Sequence, residues 1–187
     1  MGSDTGSDLG TGISSNYTKL TQVIQGLNEP LAVMQRVVDE SIKLVTGADG
    51  AVVELLDPDG VSLIYACCAG TLWRSLGLRL HSGSSLSGLA LRTRSTLVCA
   101  DSETDSRVDR DACRKVGTIS MVCVPLISSD LPLGVLKVSS IEANAFNESD
   151  VKVLSGLAEF IAINVASANE MKRVTSNLSC GTACQVL

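Results

Sequence analysis

The sequence is short of the residues from which metal and haem sites are usually built. It has one histidine, His81, and none of its seven cysteines forms a C-x-x-C pair. Structural zinc takes four Cys or His ligands at short paired spacings, so zinc is not expected. Cys180 and Cys184 stand four apart with no further ligand near them. Basic residues are also scarce: Lys plus Arg number 15 against 20 Asp plus Glu, for a net charge of -5. Phosphate backbones need a basic face, so nucleic acid is not an expected partner. Uncharged runs such as Val116 to Ser129 fall well short of the roughly 20 apolar residues of a membrane span, and no membrane insertion is expected. The start, MGSDTGSDLGTG, lacks the basic and apolar parts of a signal peptide, and Gly6 occupies the Ser or Thr position of a myristoylation signal. A cytoplasmic location is the expectation, and irregularly spaced cysteines, odd in number, suit reduced thiols there.

What remains is the composition of one ordinary core: 187 residues, 45% hydrophobic and 19% charged. Residues 1 to 15 have almost nothing to bury and read as a disordered tail. Residues 16 to 175 read as a single domain, and 176 to 187, where the periodicity stops, as a mobile tail. Leu20, Ile24, Leu27, Leu31, Met34, Val38 and Val45 alternate spacings of four and three, a helical seam that Pro30 divides into two pieces meeting near residue 29; Val33, Val37 and Leu44 lie beside the seam, and Gly47 ends the helix. AVVELLD and VSLIYACCAG flank Asp57-Pro58-Asp59-Gly60 as a hairpin would, and LGLRLHS alternates like a third strand. SSLSGLALRTRS reads as a short helix capped by Ser84 or Ser85, with Leu86, Leu89 and Ala90 inward. TLVCA, then DRDACRKV closed by Gly117, then a second hairpin at 120–128 and 133–140 complete the middle. The last helix opens at Asn147 and carries Val151, Leu154, Ala158, Ile161, Val165 and Ala168 along one seam. Two long helices bracketing a meander of strands give an α+β layer architecture with an antiparallel sheet.

The stretch CADSETDSRVDRDACRKVGTISMVCVP concentrates the candidate chemistry. Asp101, Glu103, Asp105 and Asp109 suggest calcium, yet an EF-hand loop from Asp101 would have Ser106 at its glycine and Ala112 at its bidentate glutamate. Arg114 and Lys115 stand beside Cys113 and would favour its thiolate. Against that, Cys67, Cys68, Cys99 and Cys123 sit in strand runs, where alternation turns at least one of each alternating pair inward as a small hydrophobe. The charged run pairs internally on a solvated surface, or turns Asp101 or Arg107 inward to orient a polar ligand.

From LVTGADGAVVELLD through GSSLSGLALRTRSTLVCADSETDSRVDR and SMVCVPLISSDLPLGVLKVSS to AFNESDVKVLSGLAEFIAINVA, residues 30 to 170 resemble a bacterial GAF domain. The resemblance implies a PAS-like antiparallel sheet of about six strands, terminal helices on one side and short helices and loops over the other. It also implies a small-molecule pocket beneath those short elements, and terminal helices, near residues 16 to 45 and 148 to 172, that pair in a homodimer and lead to an output domain such as a kinase or cyclase. The expected ligand-binding residues are Trp73, Leu86, Leu89, Cys99, Asp101, Arg107, Cys113, Ser120 and Cys123. No catalytic residue is assigned.

Several family chemistries fit the residues poorly. Free methionine-R-sulfoxide reductases share the fold, but their cysteine-glycine step falls near Ser87-Gly88, leaving Cys113 as the residue near a catalytic position. Bilin attachment needs a cysteine where Val108 stands, and haem needs a pocket histidine where Lys115 stands. Haem, bilin and zinc are therefore disfavoured, and the ligand is unnamed. The Asn-Lys of cyclic-nucleotide-binding relatives is replaced by Ser139-Ser140. CQVL at the C-terminus has the bare prenylation form, with no basic run before it, and in a bacterial protein is a chance match. A sensory or regulatory module is the expectation, with a thiol-based enzyme or a ligand-free dimerisation scaffold as alternatives.

Overall fold

The computed structural model describes residues 29–181, with side chains through 168. The first tail, the helical piece before residue 29 and the side chains of Cys180 and Cys184 lie outside what is described. Helix α1 spans Pro30–Leu44, with Pro30 in its first turn where the missing N–H costs nothing. Strands β1 (Gly50–Leu56) and β2 (Ser62–Gly70) follow as a hairpin, then β3 (Arg79–His81), helix α2 (Leu86–Thr93), β4 (Leu97–Cys99) and helix α3 (Arg110–Val116). Strands β5 (Ser120–Ser128) and β6 (Leu131–Ser140) form the second hairpin, and helix α4 (Glu148–Gly181) closes the order.

All six strands form one antiparallel sheet in the order β3-β2-β1-β6-β5-β4. The β1–β6 ladder joins the two hairpins at its centre, so β1 and β6 are covered on both faces. On one face α1 and α4 bury Val33, Met34, Val37, Leu154, Leu157 and Ile161 against Ala51, Val53, Val124, Leu136 and Val138. On the other, α2 and α3 press Leu86, Ala90, Leu91 and Cys113 onto Leu63, Met121, Cys123 and Val135. This is the expected α+β architecture, terminal helices on one side and short helices on the other.

The details differ from the sequence reading in four places. Leu31, placed in the seam, is 60% exposed, while Val33 and Val37, read as lying beside it, are in the core. Gly47 ends no helix: the last helical residue is Leu44, and Gly47 makes the following turn at φ +87. The second hairpin turns on two residues, Ser129 and Asp130, both at positive φ, instead of the expected four. Pro132 consequently enters β6, beside the register shift at Leu126/Ile127 where a missing donor is tolerated. Finally, α4 continues through 176–181, read as tail, because extending an existing helix avoids the cost of starting one.

The stretch Glu148–Ala168 of α4, with mean hydropathy 1.5, is long and apolar enough to cross a membrane by length and composition, which the run-length reading did not register. Its apolar residues Leu154, Leu157, Ala158 and Ile161 are spent on the sheet instead. Asn147 caps this helix by accepting from the N–H groups of Ser149 and Asp150, and Asp150 accepts from Asn147 N–H in return.

Candidate small-molecule cleft

Between the sheet and its short helices lies a cleft of about 630 Å3, counting the space in its open mouth. Its walls are mainly apolar: Leu78 and Leu80 from the β3 region, Leu86 from α2, Val108, Ala112 and Val116 around α3, and Met121 from β5. Two features of the chain place these walls. Ser85 caps α2 by accepting from Gly88 N–H at 3.1 Å, and Gly88 passes so close to Ser82 that a Cβ there would lie 1.8 Å from its carbonyl oxygen. Only glycine lets α2 dock at this depth. Asp109 caps α3 by accepting from Ala112 N–H at 3.0 Å, and this carboxylate stands on the cleft rim.

The floor is polar and buried. Lys137 on β6 and Tyr65 on β2 both line the cleft, at 7% and 2% exposure. Tyr65 reaches this face through a bulge: Val53 pairs with Cys67 and Glu54 with Tyr65, so Ala66 is extra. Without it Tyr65 and Cys67 would share a face; with it Cys67 joins the helical core while Tyr65 and Cys68 turn to the cleft side. The Lys137 ammonium donates to the Tyr65 hydroxyl and lies 4.6 Å from the Tyr65 ring centre. It also lies 2.8 Å from Oε1 of Glu54, a fully buried residue of β1. That contact is an ion pair without hydrogen-bond alignment, and neither carboxylate oxygen of Glu54 has a hydrogen-bond partner among the described residues.

Electrostatics fixes the protonation of this floor. Burial works against the charge on Lys137, but Glu54 and then Tyr65 outweigh it and its pKa is raised, so the ammonium persists. Burial lifts the Tyr65 phenol to about 12, against the opposing pull of Lys137. Both groups are donors at neutral pH. The cysteines fare otherwise: burial pushes Cys67 and Cys68 up to about 11 and Cys99 and Cys123 up to about 12, and raises Cys113. None of these is a ready thiolate.

Of the residues expected at the site, Leu86 and Cys113 line the cleft. Cys99 and Cys123 lie fully buried behind that wall, and Leu89 packs at its edge. Trp73 is 61% exposed in the β2–β3 connection, where Arg74 sits 4.9 Å from its ring centre. Asp101 accepts from Glu103 N–H within its own turn, and Ser120 donates to the Glu142 carbonyl. Arg107 is tied to Asp105 and donates to the Val98 carbonyl at 2.8 Å, and Arg114 pairs with Glu103. The charged loop thus satisfies itself at the surface. His81, on the rim, accepts from Gly83 N–H through Nδ1. No cluster of His, Cys, Asp or Glu among the described residues is arranged to hold a metal.

Sequence reasoning missed Lys137, Tyr65 and Glu54. The available signal was a single charge of opposite sign in each of two otherwise apolar strands, AVVELL and LGVLKVSS.

The GAF domain model matches residues 29–166. The chain belongs to the GAF domain family. Solved GAF structures share its fold at low identity. The GAF domain of a phosphoenolpyruvate-protein phosphotransferase (ptsP) from Coxiella burnetii superposes with TM-score 0.79 at 19% identity, over 89% of this chain and 99% of that one. Free methionine-R-sulfoxide reductase from Neisseria meningitidis, solved with its substrate, gives 0.74 at 19%, over 90% and 97%. The blue-light absorbing form of the PixJ GAF domain from Thermosynechococcus elongatus gives 0.67 at 14%, over 80% and 92%. A search of curated proteins returned no match. These neighbours include a reductase and a blue-light absorbing domain, and the shared fold does not choose a role for this chain.

Proposed function

We propose that this GAF domain is a regulatory module that binds a small molecule in the cleft beneath α2 and α3 and passes the change to a partner or output domain through α1 and α4. The observation that carries this reading is the buried Lys137–Tyr65 floor under apolar walls, a few placed polar groups in an otherwise apolar recess. The ligand acts by differential affinity: it favours one arrangement of α2 and the 101–117 segment over another. Transmission is supported by the sheet itself, since β5 and β6 carry the cleft residues Met121 and Lys137 on one face and the bed of α1 and α4 on the other. Leu31 on α1 and Ile163 on α4, each 60% exposed, supply apolar contacts for a homodimer through the terminal helices.

The test is native mass spectrometry of the freshly purified chain beside Ala112→Trp, which fills the cleft from α3. A mass excess that vanishes on denaturation and is missing from the variant supports the proposal. An excess retained by the variant contradicts it.

A second reading, a thiol-dependent reductase, draws on the likeness to the Neisseria enzyme. Against it stand Ser87 on α2 and the raised pKa of every described cysteine, Cys113 included. Consumption of free methionine sulfoxide by the reduced protein would favour this reading.

A further inference from the structure

We propose that the cleft takes an uncharged, largely apolar small molecule that presents one hydrogen-bond-accepting oxygen to the Tyr65 hydroxyl and Lys137; this rests on the cleft being the binding site. The polar inventory of the floor is unbalanced. The Lys137 ammonium has three N–H groups: one goes to Tyr65, Glu54 lies 2.8 Å away without an aligned hydrogen bond, and no further acceptor stands by them among the described residues. The Tyr65 hydroxyl accepts from Lys137, and its own proton has no acceptor among them either. Buried donors without acceptors are costly, and both line the cleft. A single carbonyl or ether oxygen at the floor satisfies them.

Charge decides what that oxygen belongs to. Lys137 is the one Lys or Arg side chain of the lining, and Glu54 stands against it at 2.8 Å. A ligand carboxylate would compete with Glu54 for the same ammonium and would face Asp109 on the rim. A phosphate would do so with greater charge. A cationic ligand would meet the Lys137 ammonium at the floor. The N-terminal end of α2, where Ser84, Ser85 and Ser87 line the same recess, adds only the partial positive charge of its backbone N–H groups, which suits an acceptor oxygen without supplying a counter-ion. The apolar walls then cover a hydrocarbon body.

Three probes of one size separate the classes: acetophenone, benzoate and ethylbenzene, titrated into the full chain while the amide signals of Ser87, Cys113 and Met121 are followed by NMR. The structure predicts that acetophenone binds about tenfold more tightly than either of the others, and that Tyr65→Phe, which keeps the ring, abolishes its margin over ethylbenzene. The ranking in the wild-type chain stands as a test even where the variant folds poorly. Tightest binding by benzoate would overturn the uncharged class while leaving the cleft as a binding site. Equal binding of acetophenone and ethylbenzene would overturn the role of the floor donors. Silence at these amides for all three probes would overturn both the ligand class and the cleft reading.

Discussion

Lys137 is held by Glu54 and Tyr65, and the cost of removing the ammonium depends on whether Glu54 is left behind. Lys137→Met leaves Glu54 fully buried with no cation beside it. We expect a loss of about 3–5 kcal/mol in denaturant unfolding, largely recovered when Glu54→Leu is added, because the pair together costs little to replace with apolar groups. Equal losses in the single and double variants would contradict the pairing. The thiols give a second expectation at this scale. In a chain carrying Cys180→Ser and Cys184→Ser, the cysteines at 67, 68, 99, 113 and 123 should react with a thiol reagent at pH 8 only after denaturation, since burial keeps them protonated. Fast labelling of Cys113 in the folded chain would reopen the reductase reading. A third concerns acid. The hydrogen bonds from Arg107 hold the Asp105 carboxyl at about 2, below its ordinary 3.8. This contribution to stability is present above the ordinary value and is lost as pH falls through about 2. Carbon-detected NMR titration should therefore place Asp105 near 2, and Arg107→Gln should return it upward; an unchanged midpoint would exclude Arg107 as the cause.

At the scale of elements, the cleft depends on how closely α2 docks. Gly88→Ala puts a methyl carbon into the Ser82 carbonyl, so we expect about 1–3 kcal/mol of destabilisation and weakened ligand binding, read by thermal unfolding and titration. The long helices make a contrasting pair of predictions. Val165 is a core residue of α4 itself, so Val165→Asp should unfold the domain, whereas Leu31→Glu with Ile163→Glu should leave it folded and convert a dimer to monomers in analytical ultracentrifugation. A dimer that survives the exposed pair of changes would place the interface elsewhere.

At the scale of the whole molecule, the layer order was legible because strand and helix announce themselves by different periods. Runs such as AVVELLD and the three-four seam of α4 carry that information residue by residue. The cleft wall was partly legible for the same reason: Leu86 and Cys113 face inward on short capped helices. Its floor was not. Lys137 sits in LGVLKVSS and Glu54 in AVVELLD, each looking like the outward member of a half-exposed strand. That both strands are central, covered on both faces and registered so that Lys137 lies beside Val52 is information about pairing, which no single segment contains. The Ala66 bulge that turns Tyr65 toward Lys137 is equally a property of two strands at once.

The most direct test of a ligand-holding cleft is a comparison of amide spectra of the isotope-labelled chain before and after exposure to a deproteinised small-molecule extract. The account predicts shifts concentrated at Ser87, Cys113, Met121 and Lys137, weaker ones along α1 and α4, and none in Ala112→Trp. Shifts confined to the outer faces of the helices, or unchanged in Ala112→Trp, would contradict it.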